Sequence, residues 1–134
     1  ILFGLFTSRA LRTPASQVPL LSGRLEEILR REAAEPRSHR YRAILGAFDS
    51  APLEVLLGTD VDGVAALIHE IVESEGSKGV RLVLRADPHG RSLYVAVLLP
   101  RERYAEELRT RIRSQLVACT GATYVDILWD GLTE

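Results

Sequence analysis

The spacing of apolar positions changes along this chain, and the changes divide it. Residues 1–7, ILFGLFT, form a short uninterrupted apolar run that fits a buried strand. From residue 19 the spacing becomes helical. Leu21, Leu25, Ile28 and Leu29 recur with Glu and Arg between them, the stripe of a helix with one buried face. Two starts fit that helix: Ser22 as a cap before Gly23, or Pro19 at the first helical position, where a missing N–H costs little. Pro36 stops it. Tyr41, Ile44, Leu45 and Phe48 predict a second helix over 39–49, and residues 52–57 one or two further turns. Val61, Val64, Ile68, Ile71 and Val72 predict a helix over 61–75, capped by Asp60 and closed by the glycine-rich turn 76–79.

After residue 79 the period falls to two. Val80, Leu82 and Leu84 alternate with Arg81, Val83 and Arg85, a half-buried strand pattern. Residues 92–100 are more uniformly apolar, which predicts a strand covered on both faces and ended by Pro100. Between the two strands stands Asp87-Pro88-His89-Gly90-Arg91. Asp accepts from the backbone, Pro presets φ and Gly takes a positive φ, so the stretch reads as a hairpin reversal. Residues 101–119 read as an amphipathic helix with Tyr104, Leu108, Ile112 and Leu116 at every fourth position. Glu107 and Arg111 are spaced to pair along it, for about 0.2–0.5 kcal/mol. Thr120 and Gly121 end it, and residues 124–130, YVDILWD, read as a third strand of this half.

Composition narrows the function. The 134 residues are 46% hydrophobic and 26% charged, with a net charge of −1, a soluble globular balance. Near-neutral charge argues against a nucleic-acid arm or a membrane-binding patch. The apolar runs are too short to span a bilayer. The single cysteine, Cys119, gives neither a disulfide framework nor zinc spacing; it reads as a buried structural thiol in a reducing compartment. The chain opens on Ile1 and has no methionine, which reads as a piece of a longer polypeptide.

Chemistry is sparse. No G-x-G-x-x-G follows a strand and there is no P-loop. Lys78, the one lysine, sits in a glycine turn. Asp60, Asp62 and Gly63 open like a calcium loop but lack its remaining ligands, so they read as a helix cap with acidic residues near the dipole. His39, His69 and His89 fall on three separate elements, which disfavours a metal site. Arg101, Arg103, Arg109, Arg111 and Arg113 are interleaved with Glu102, Glu106 and Glu107, the mark of a solvated or interface helix rather than a nucleic-acid contact. No residue is assigned to catalysis, to a cofactor or to a metal.

Several ordered blocks resemble the long N-terminal regions of large NAD-specific glutamate dehydrogenases. Arg85-Ala86-Asp87-Pro88-His89-Gly90-Arg91 is similar to that family's R-x-D-P-Y-G-R hairpin, and Leu99-Pro100-Arg101-Glu102-Arg103-Tyr104 to its L-P-R-[DE]-R-Y helix start. Leu2 to Ser8 resembles F-L-G-L-F-T-S, Val18 to Leu21 its I-P-L-L, and Ser38-His39 its Ser-His pair. The similarity runs in order from about residue 2 to residue 117 and is weak over 120–134. Ala86 stands where the family has a second basic residue, and His89 where it has an aromatic.

The resemblance implies a segment outside the catalytic domain, with an ACT-like, ferredoxin-like unit in its C-terminal half. The expected architecture is α+β: a strand region over 1–13, a helical segment over 14–77, and an antiparallel ββαβ unit over 78–134. The resemblance further implies that the segment is inactive alone and carries no cofactor, while the parent is a cytoplasmic, oligomeric enzyme that uses NAD to deaminate glutamate to 2-oxoglutarate. The expected partners are other domains of the same polypeptide, further copies, and an amino-acid effector. In such modules effectors bind between paired domains near strand–helix junctions. That points to Asp87, His89 and Arg91 in the turn and to Arg101 and Tyr104 at the junction. A free-standing small-molecule or protein-binding module is the alternative. Unpaired edges at 1–7 and 124–130 are expected to pair between copies.

Overall fold

A computed structural model describes residues 12–74, 77–87 and 89–127. A single 3-10 turn over Ala15–Gln17 is tied to the helices by Asp49. The Ser16 amide donates to Asp49 Oδ1 at 2.8 Å and the Ser16 hydroxyl to Oδ2 at 3.0 Å. Helix α1 (Pro19–Arg31) begins at Pro19, with Val18 as the extended cap. Ser22 therefore lies inside the first turn, its hydroxyl donating to the Pro19 carbonyl. The far end of α1 closes with the Ala34 amide on the Leu29 carbonyl at 3.0 Å and the Ala33 amide on Arg30 at 3.2 Å. That is a Schellman closure with Ala33, at φ 46°, in the left-handed position glycine usually takes.

Ser38 caps α2 (His39–Ser50) by accepting from the Tyr41 amide at 3.1 Å. Helix α3 (Leu53–Gly58) is short, and its exit is held by Arg24 of α1. That guanidinium donates to the Leu56 carbonyl and, at 2.6 Å, to the Thr59 carbonyl, covering oxygens that a helix end leaves without partners. Asp60 caps α4 (Val61–Ser74) by accepting from the Gly63 amide at 2.8 Å. Asp60 thus does what a cap does. Leu21, Leu25 and Ile28 of α1, Ile44 and Phe48 of α2, Leu56 of α3, and Val64, Leu67, Ile68 and Ile71 of α4 close into one core.

Two ion clusters lace the rim. Arg31 bridges Glu27 and Asp62. Glu32 accepts from Arg40 and lies 3.1 Å from His69 Nδ1, while Arg40 also reaches Glu73 at 3.1 Å. Arg40, and then His69, hold the Glu32 carboxyl below its ordinary value of 4.5, although partial burial pulls the other way. A lowered folded pKa contributes stability above the unfolded value and loses it as pH falls through the folded one. Glu32→Gln should therefore cost up to about 1 kcal/mol at neutral pH. The gap to wild type should close below pH 4.5 in urea titrations. A gap independent of pH would show that charge is not what Glu32 contributes.

The hairpin follows. Strands β1 (Arg81–Ala86) and β2 (Leu93–Leu98) pair antiparallel, with Leu82 opposite Val97, Leu84 opposite Val95 and Ala86 opposite Leu93. The half-buried alternation of β1 is present, but its buried member is Val83, at 3% exposure, while Leu82 and Leu84 are 63% and 53% exposed. Val83 enters the helical core beside Ala96, and Arg85 on the same side reaches Glu70 of α4 at 3.1 Å. Arginine stems can lie along the edge of a core with their charges outside it, so Val83 can be the inward residue between two arginines. The expectation that β2 is covered on both faces is corrected for the same reason. Tyr94, Ala96 and Leu98 rest on the helices, while Leu93 on the other face is exposed.

The helix expected over 101–119 is interrupted. A 3-10 turn, Arg101–Arg103, precedes α5 (Glu106–Thr120), and extended Ala105 separates them. Leu108, Ile112 and Leu116 are half-buried, and no residue of α5 is fully buried. The pair formed is Glu106–Arg109, at 3.5 Å, rather than Glu107–Arg111. Cys119 is exposed, which corrects its reading as a buried thiol: the last turn of α5, residues 117–120, is exposed throughout. Gly121, at φ 67°, closes α5.

Residues 124–127 form no strand. Arg109 and Arg113 of α5 donate to the carbonyls of Ile127 and Val125, at 3.1 and 2.6 Å, and so occupy acceptors a sheet ladder would use. Residues 128–130 of the expected third strand, and the whole of the 1–7 strand, lie outside the described residues. What stands is an α+β arrangement: a helical bundle, then β-β-α.

Candidate functional site

The turn is built by its own aspartate. The Gly90 amide donates to the Asp87 carbonyl at 2.8 Å and the Asp87 amide to the Ser92 carbonyl at 2.9 Å. Asp87 Oδ2 accepts from the Arg91 amide at 3.2 Å and lies 3.5 Å from Arg91 Nε. Partial desolvation pushes the Asp87 carboxyl up, but the Arg91 amide and guanidinium outweigh it and hold the group below its usual range. Gly90, at φ 66°, takes the left-handed position the reversal requires. His89 and Arg91 are exposed. The carboxylate is thus already engaged in making the turn.

At the other end of β2, Arg101 opens the 3-10 turn and Tyr104 follows it. The half-buried Tyr104 hydroxyl donates to Glu106 Oε2 at 3.1 Å. Loss of solvation, then the Glu106 carboxylate, raise the phenol above its ordinary pKa. The turn and the junction sit at opposite ends of a six-residue strand. At about 3.3 Å per residue that is roughly 20 Å. Asp87, His89 and Arg91 stand together in the turn, while Arg101 and Tyr104 lie a strand's length away at the junction.

Other surfaces offer little chemistry. A shallow open groove at the end of α1, floored by Leu29, Ala33, Ala34 and Tyr41, has Arg30 on its rim, and Arg30 is already paired with Glu27. Among the described residues no three His, Cys, Asp or Glu side chains gather as a metal site, and no helix is long and apolar enough to cross a membrane. The outstanding surface is the open side of the hairpin, where Leu82, Leu84 and Leu93 face solvent. Sequence reading passed over it, although the signal was there: β2 is apolar on both sides, and one bundle can cover only one.

Two family models match the chain. Residues 18–76 match glutamate dehydrogenase helical motif 1, and residues 81–129 match the glutamate dehydrogenase ACT2 domain. The chain belongs to the glutamate dehydrogenase family. The helical motif falls on α1 to α4 and the ACT2 domain on the hairpin, α5 and the segment after it. The ACT2 match reaches past residue 117, where the resemblance read from the sequence stops.

Three curated relatives are NAD-specific glutamate dehydrogenases. The Pseudomonas aeruginosa protein is 29% identical over 114 residues, 85% of this chain and 7% of its own length. Those of Halomonas elongata and Mycobacterium tuberculosis are 26% and 25% identical, each over 92% of this chain and 8% of the relative. The chain thus spans less than a tenth of these relatives, and it is not the catalytic domain. No solved structure matches it.

Proposed function

We propose that this chain is a non-catalytic structural segment of a cytoplasmic NAD-dependent glutamate dehydrogenase, an enzyme that deaminates glutamate to 2-oxoglutarate. The segment contributes contacts between domains and subunits. The observation that carries this reading is the open hairpin. A bundle with a closed apolar core holds out a second, aliphatic face, while polar side chains such as Asp60, Asp87 and Arg85 are spent on a cap, a turn and a surface ion pair. Amino-acid sensing is the finer version of the same reading. An effector touching both Asp87, His89 or Arg91 and Arg101 or Tyr104 needs a second molecule or domain to bring the two ends of β2 together.

Calorimetric titration of the chain with NAD, and thermal melts with each common amino acid, test this reading. NAD should release no binding heat. A rise in melting temperature with one amino acid, removed by Arg91→Ala, would establish sensing. Saturable NAD binding would contradict a non-catalytic segment.

A further inference from the structure

One broad surface of the described residues carries no formal charge. On the open side of the hairpin Leu82, Leu84 and Ala86 lie opposite Val97, Val95 and Leu93, and Val80 continues the row. Val80, Leu82, Leu84 and Leu93 are each about half exposed or more. We propose that two copies of the chain meet through this face, hairpin against hairpin across a two-fold axis. The inference rests on the structural role proposed above and names the surface that performs it.

Two arguments favour a second copy as the occupant. The first is charge. A two-fold contact sets each residue near its own counterpart, so a charged face would oppose like charges. The outer positions of α1 and α5 are studded with Arg and Glu, whereas positions 80, 82, 84, 86, 93, 95 and 97 hold only Val, Leu and Ala. The second is area. Burying these seven side chains from both copies removes on the order of 1,000 Å² from water, the lower limit for a specific interface. The contact is therefore weak and depends on concentration. Aligned packing of two sheet faces suits such flat aliphatic rows.

Sedimentation equilibrium of the 134-residue chain, from about 10 μM to about 1 mM, reads this directly. The apparent mass should rise from 14.8 kDa toward twice that value. Leu84→Glu sits at the centre of the face and should weaken association at least about tenfold, by setting two carboxylates near the axis. Leu84→Lys should do the same. An equimolar mixture of the Glu and Lys variants should associate again, which a merely structural role of Leu84 would not produce. Leu20→Glu, on α1 and more exposed than Leu84, should change nothing. A wild-type chain that stays at 14.8 kDa throughout would overturn the proposal. So would an association that Leu84→Glu leaves intact, the result expected if strand edges pair instead. Neither outcome bears on NAD binding, so the two readings fail separately.

Discussion

Phe48→Ala should lower the stability of the chain by about 3–5 kcal/mol, the usual result of truncating a fully buried aromatic. Phe48 has no exposed surface and lies in the single core built by α1 to α4 with Leu21, Ile28, Ile44, Leu56 and Ile68. Those neighbours belong to four helices whose caps and exits are fixed by Ser38, Asp60 and Arg24. They cannot simply close over the gap, so the cavity term adds to the lost transfer energy. Urea unfolding followed by circular dichroism measures it. A loss under about 1 kcal/mol, typical of surface positions, would mean that Phe48 is not at the centre of the bundle.

The second large effect is at Val83. Val83→Asp should cost on the order of 3 kcal/mol or more, because it buries a carboxylate with no partner where β1 enters the core. Leu82→Asp, one residue away and exposed, should change stability by about 0.5 kcal/mol or less. A two-stranded hairpin is marginal alone, so losing its seat on α4 should release it from the cooperative unit. The same denaturation curves test the pair. Equal losses at both positions would mean that neither face of β1 is preferred.

Much of this was legible in sequence because the helical half obeys local rules. The stripes at Leu21–Leu25–Ile28 and Val64–Ile68–Ile71 are buried as the period requires, and the Asp60 cap forms where an Asp precedes an apolar stripe. The start of α1 was ambiguous only between two local signals, and Pro19 prevails. The hairpin and its Asp-Pro-x-Gly reversal were equally local. What sequence did not show is which way β1 faces. Hydrophobicity points to Leu82 and Leu84, but the face is set by tertiary packing, and the narrower Val83 fits between Arg81 and Arg85 against α4. The end of the chain was misread for a similar reason. YVDILWD has strand character, but a strand needs an edge to pair with, and two arginines of α5 hold the carbonyls of Val125 and Ile127 instead.

The candidate site was legible as a set of residues but not as a place. Family resemblance singled out Asp87, His89, Arg91, Arg101 and Tyr104, and a six-residue strand sets them apart in two groups. The open aliphatic face was visible as composition alone, since its exposure depends on the bundle covering only one side of the sheet.

The measurement that tests this account most directly is thiol labelling at adjacent positions of β1. With Cys119→Ala as background, Val83→Cys and Leu84→Cys are each treated with an exposed-thiol reagent under native conditions. The account predicts that the thiol at 84 reacts nearly as fast as in urea, while the thiol at 83 is protected at least about a hundredfold, as expected of a core position opened only by unfolding. The reverse pattern, protection at 84 and free reaction at 83, would contradict it, and the hairpin would have no open aliphatic face to offer.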